Sequence, residues 1–126
     1  MAEINCIKDA SDWEKIWEDL SGSEGCSILV FKRSPYCPIS HGAEANFQKF
    51  AATFPDGEKI LFHIVDVISE REISQRIARD TGVKHESPQA LLLGPGRKVL
   101  WHASHYTINE KSLSEAIRKS CSRPQS

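Results

Sequence analysis

Neither sign of charge dominates this sequence. Sixteen lysines and arginines face 17 aspartates and glutamates in 126 residues, a formal net charge of −1. A nucleic-acid partner held by an overall basic surface is therefore disfavoured. Long hydrophobic runs are missing as well. The longest, Ile28-Leu29-Val30-Phe31 and Ala90-Leu91-Leu92-Leu93, fall far short of the ~20 residues a membrane helix needs. The first ten residues mix charges with short apolar pieces and hold no continuous export-type stretch. No repeat, low-complexity segment or linker interrupts the chain. These absences lead us to expect a soluble, cytoplasmic protein with no membrane partner. Hydrophobic types account for 40% of the residues in a chain of 14.1 kDa, enough for residues 1–120 to close one core as a single domain. Residues 121–126 read as a flexible tail.

The four cysteines, Cys6, Cys26, Cys37 and Cys121, include no C-x2-C pair. Nothing therefore nucleates a structural zinc site, and a reducing compartment disfavours a disulfide framework. Each cysteine is left as either an inert packed residue or a reactive thiol.

Periodicity supplies the elements. Residues 3–7 alternate weakly, as in a short edge strand. Trp13, Ile16, Trp17 and Leu20 form a helical stripe, with Ser11 and Glu14 as a capping box. Ser27 to Phe31 reads as a buried strand broken by Lys32-Arg33-Ser34-Pro35. A helix is predicted over 38–53, with Ile39, Ala43, Phe47, Phe50 and Ala51 on one side and Pro38 in its first turn. Phe54-Pro55-Asp56-Gly57 is a turn signal, and Ile60 to Val67 a central strand. Ser69 and Glu72 suggest a capped helix carrying Ile73 and Ile77 inward and ending at Gly82. Gln89 to Leu93 and Lys98 to His102 read as a hairpin around Gly94-Pro95-Gly96-Arg97. Thr107 and Glu110 suggest a cap for a last helix with Leu113, Ala116 and Ile117. The order β-α-β-α-β-α-β-β-α implies an α/β fold, a central mixed β-sheet flanked by helices.

The segment Ser34-Pro35-Tyr36-Cys37-Pro38-Ile39-Ser40 puts Cys37 where a buried strand gives way to a helix. Free helix N–H groups and the positive end of the helix dipole meet there, and both favour a thiolate over a thiol. Lys32 and Arg33 upstream are expected to add positive potential. The bland reading is a small packed cysteine.

Strand, Cys-Pro-x-Ser, helix, strand, helix and then Ser-Pro before a hairpin and last helix resembles the thioredoxin superfamily. That resemblance implies a nucleophilic thiol at Cys37 and a cis proline beside it at Pro88. Phe31-Lys32-Arg33-Ser34, Cys37-Pro38-Ile39-Ser40, Val83-Lys84-His85-Glu86-Ser87-Pro88-Gln89 and Ser104-His105-Tyr106 together resemble the monothiol bacilliredoxins (YtxJ-like bacillithiol-system proteins). Tyr36 stands where a small or hydroxylated residue is commoner in that group. The resemblance implies a thiol–disulfide oxidoreductase that removes bacillithiol from protein mixed disulfides. Cys37 would be catalytic, with Tyr36, Pro38, Ser40, Ser87 and Pro88 in support. It implies no bound cofactor, bacillithiol as co-substrate, and S-bacillithiolated proteins as partners; it leaves the oligomeric state open. Ser40 replaces the second cysteine of a dithiol motif, so the exchange is expected to be monothiol, with Ser40 either donating to the thiolate or simply solvated.

Cys6 and Cys26 are expected to be buried, and Cys121 to lie in the tail without a resolving role. Cys37 with His41, and His102 with His105, have spacings open to a metal but match no recognised zinc pattern. His63 is expected to be a hydrogen-bonded strand residue and His105 a loop residue, while Trp101 packs after the hairpin. Two competing functions are an iron–sulfur carrier of the monothiol-glutaredoxin type and a silent thioredoxin-like binding module. The usual carrier motif is Cys-Gly-Phe-Ser, against which Pro38 stiffens the corner and removes an N–H.

Overall fold

A computed structural model describes residues 3–22, 27–54 and 60–121, with residues 120 and 121 described by backbone alone. Elements follow in the order β1 (Ile4–Cys6), α1 (Ala10–Asp19), β2 (Ser27–Arg33), α2 (Pro38–Thr53), β3 (Ile60–Asp66), α3 (Arg71–Thr81), β4 (Gln89–Gly94), β5 (Lys98–Ser104), a 3-10 turn (His105–Thr107) and α4 (Glu110–Cys121). The sheet order is β1-β3-β2-β4-β5. β1, β3 and β2 run parallel, whereas β4 is antiparallel to β2 and β5 to β4. The mixed sheet expected from the element order is therefore observed.

Two cores sandwich the sheet, and the period of two along each strand separates them. Leu29 and Phe31 of β2 join Phe47, Phe62, Leu92 and Leu113 beneath α2 and α4. Ile28 and Val30 join Trp13, Val65, Ile77 and Leu91 beneath α1 and α3. β2 is buried on both faces, which is why Ile28 to Phe31 lacks a polar alternation. Trp13 stacks on Trp17 and donates its ring N–H to Asp80 at 2.9 Å, tying α1 to α3. Trp101 is partly buried against the core under α2 and α4.

Several boundaries differ from expectation. β2 continues through Lys32 and Arg33 instead of breaking there, because both residues pair with β3 and Lys32 also pairs with Gln89 of β4. α1 begins at Ala10, so Ser11 lies inside its first turn; Asp9 is the cap, accepting the Asp12 N–H at 3.0 Å, and the Ser11 hydroxyl donates to it. Ser69 does not cap α3. Asp66 Oδ1 has taken the Ile68 and Ser69 N–H groups, and Glu70 holds the cap position without a side-chain bond. Thr107 belongs to the 3-10 turn with Ser104, whereas Asn109 caps α4 by accepting the Ser112 N–H at 2.9 Å.

Gly82 ends α3 with φ 78°, and Gly96 and Arg97 carry positive φ in the hairpin turn. The backbone of Cys121 closes α4 and is not part of a tail. Residues 55–57 of the turn signal, Cys26 and the rest of the tail lie outside the described residues. Cys6 was expected to be buried but is exposed, since β1 is a three-residue edge strand. His63 was expected to be hydrogen-bonded, yet its Nε2 is buried without a partner.

Candidate functional site

β2, the central strand, delivers the chain to one end of the sheet, and Ser34 to Cys37 turn it into α2. Cys37 occupies the N-cap position with extended backbone (φ −110°, ψ 119°), and Pro38 takes the first helical turn. A proline has no N–H to leave unpaired there, and its fixed φ suits a helix start. The Cys37 N–H donates to the Ser34 carbonyl at 3.2 Å, and its own carbonyl accepts from the His41 N–H at 3.2 Å. Its thiol makes no capping bond. The side chain is half-exposed at the dipole-positive end of a 16-residue helix. Tyr36 beside it is 81% exposed and reaches into solvent.

Two bonds hold this turn from opposite sides. Ser40 is fully buried and accepts the Ser34 N–H at 2.8 Å, so it is a structural acceptor and not a solvated serine. The His41 Nε2–H donates to the Pro35 carbonyl at 2.7 Å. That bond occupies the ring nitrogen, and no group of three or more His, Cys, Asp or Glu side chains able to hold a metal exists among the described residues.

Lys32 and Arg33 each have partners of their own. Arg33 pairs with Glu44 at 3.0 Å and Asp66 at 3.6 Å. Lys32 shares the strand face of Ile28 and Val30 and turns beneath α3. Its Nζ donates to the Ser74 carbonyl at 3.1 Å and to His85 Nδ1 at 3.2 Å. Burial lowers its pKa from 10.5 to about 8. The His85 pKa is lowered first by desolvation and then by the Lys32 and Arg71 charges, with Glu86 opposing. Sequence reasoning missed this cluster. The available signal was a lysine continuing an apolar run without a break in strand pairing.

The Ser87–Pro88 peptide is cis, as the resemblance implied. Gln89 lies opposite Lys32, which brings Ser87 and Pro88 to the same end of the sheet as the Cys37 turn. Pro88 is buried and its carbonyl accepts the His105 N–H at 3.1 Å. A cleft of about 400 Å³ lies between Pro38, Ile39, His105 and Tyr106. A second, of about 360 Å³, lies between Ser34, Arg71, His85 and Ser87. The fold thus gathers Cys37, Pro38, Ser40, Ser87 and Pro88 at one end, with Tyr36 on the rim.

A family model for the monothiol bacilliredoxin BrxC matches residues 5–113. The chain belongs to the monothiol bacilliredoxin family. A solved structure described as "a putative oxidoreductase with a thioredoxin fold" is 32% identical to this bacilliredoxin, with a TM-score of 0.75 over 90% of this chain and 93% of that one. Thioredoxin from Nicotiana alata is 18% identical (TM-score 0.72, covering 94% and 92%), and that from Fasciola hepatica 22% identical (TM-score 0.68, covering 91% and 97%). These last two carry the fold alone. Family and fold together make this bacilliredoxin a thioredoxin-like protein of thiol–disulfide redox chemistry. No helix among the described residues is long and apolar enough to cross a membrane.

Proposed function

We propose that this bacilliredoxin is a monothiol enzyme that removes bacillithiol from protein mixed disulfides, with Cys37 as its catalytic residue. The Cys37 thiolate attacks the bacillithiol sulfur, a new Cys37–bacillithiol disulfide forms, and the protein thiolate leaves and takes a proton from water. A second low-molecular-weight thiol, free bacillithiol, then attacks the bacillithiol sulfur of that adduct. Bacillithiol disulfide is released and the Cys37 thiolate returns. Each step exchanges one disulfide for another, so no outside oxidant is needed.

The observation carrying this reading is the half-exposed Cys37 at the start of α2, with a serine at position 40 and the cis Pro88 at the same end of the sheet. Ser40 cannot form a disulfide, and its hydroxyl is engaged with the Ser34 N–H. Cys6 lies on the β1 edge, separated from β2 by β3. Among the described side chains neither Ser40 nor Cys6 can resolve Cys37, and the proposed exchange leaves an intermolecular adduct for an external thiol. Exposure of Cys37 also weighs against a silent binding module, and Pro38 against a cluster carrier.

Incubation with bacillithiol disulfide followed by intact-mass measurement tests the assignment. Wild type is expected to gain one bacillithiol, Cys6→Ser to behave the same, and Cys37→Ser to gain none. A full adduct on Cys37→Ser, or none on wild type, overturns it.

A further inference from the structure

Lys32 is the only charged residue that is buried among those described. No ion pair among the described residues includes it. A cation in that position is held by neutral groups alone, a costly arrangement unless something nearby supplies negative charge. The groups that hold it, Ser74 and His85, line the cleft on the α3 side of Ser87–Pro88. Arg71 lines the same cleft and is likewise without an ion-pair partner among the described residues. None of the residues lining it is acidic.

The hydrogen bonds also define the imidazole. An ammonium can only donate, so His85 Nδ1 must accept from Lys32, and the ring proton resides on Nε2. The Nε2–H edge faces away from the buried lysine, and His85 is exposed. The cleft is continuous with the thiol turn, because Ser34, which lines it, accepts the Cys37 N–H. The other cleft, beside Pro38, has no lysine or arginine in its lining.

We propose that the α3-side cleft is a carboxylate subsite for the low-molecular-weight thiol, with Arg71 supplying charge, His85 Nε2–H a directed donor, and Lys32 the positioning residue that holds the imidazole. The assignment rests on the proposed bacillithiol chemistry and adds the part of the molecule that is recognised. Bacillithiol carries a malate unit with two carboxylates. With its sulfur at Cys37, those carboxylates extend into a cleft that lacks anions of its own.

The rates of wild type and Arg71→Ala with bacillithiol disulfide and with hydroxyethyl disulfide, which has no carboxylate, form the first arm. The preference for bacillithiol disulfide is expected to fall about tenfold in Arg71→Ala, the loss of roughly one charge-assisted hydrogen bond. An unchanged preference overturns the subsite. The second arm titrates malate into Cys37→Ser and follows the His85 and Ser87 resonances by NMR. Should wild type show no preference at all, the bacillithiol assignment fails and this titration alone decides. Shifts abolished by adding Arg71→Ala uphold the subsite, and absent shifts overturn it. Nitrogen-15 spectra of the His85 ring isolate the lysine. The wild-type proton is expected on Nε2, with mixed tautomers in Lys32→Met. A wild-type ring protonated on Nδ1 alone overturns the positioning role.

Discussion

Lys32, next to last in β2, sets its ammonium against a backbone carbonyl and an imidazole nitrogen, and its charge is a cost to the folded state that acidity maintains. Its pKa falls from 10.5 to about 8 on folding because burial penalises the ammonium. Between those values the unfolded chain binds the proton that the folded protein has lost, so stability rises with pH. Below pH 8 both states carry it and the full penalty applies. Urea unfolding of wild type and Lys32→Met across this range checks the sign. The variant, with no group to titrate, should be the more stable near neutrality, and wild type should gain on it by about 3 kcal/mol between pH 8 and 10.5. Cys37 was legible in the sequence because helix-start chemistry is local. Lys32 was not, since its partners come from α3 and the segment before β4, 42 and 53 residues away.

Helix ends show the same division at the scale of elements. Gly82 was legible as the stop of α3 because a left-handed residue after a helix nearly requires glycine, and its φ is 78°. An added Cβ there meets nothing within 4 Å, so only backbone conformation opposes it. Gly82→Ala should therefore cost about 1 kcal/mol in chemical denaturation, with thiol exchange at Cys37 unaltered. The starts of helices were harder to place. Ser11, Ser69 and Thr107 all had acceptable capping spacing, yet Asp9 and Asn109 cap α1 and α4, and Asp66 takes the Ser69 N–H that Glu72 would accept in a capping box. Several polar side chains within a few residues can compete for the same N–H groups, and spacing alone does not rank them. α2, bounded by Pro38, offered no such competition and was read to the residue.

Across the whole molecule, α2 connects the thiol to the core. Phe47 lies with its ring centre 5.0 Å from that of Phe31 and 5.8 Å from that of Phe62, so the helix that begins at Cys37 is anchored against both β2 and β3. Phe47→Ala is expected to cost 3–5 kcal/mol, roughly half the stability of an ordinary domain. Unfolding midpoints should drop sharply, and the Cys37 adduct should form more slowly in the fraction that stays folded. The element order, the helical stripes, the hairpin and the place of Cys37 all follow from nearest-neighbour chemistry and short periodicities, which a linear chain displays openly. The stripe of α1 and the run of β2 foretold the burial of Trp13, Ile16, Leu20 and Ile28 to Phe31, though not that of Lys32. Folding alone brought Ser74, His85 and Arg71 around one cleft with Lys32 buried behind them, turned Arg33 to Glu44 and Asp66, and buried the Ser40 hydroxyl beneath the thiol turn. Those pairings depend on strand register and on which helix covers which face of the sheet, and both are set by burying the whole core at once.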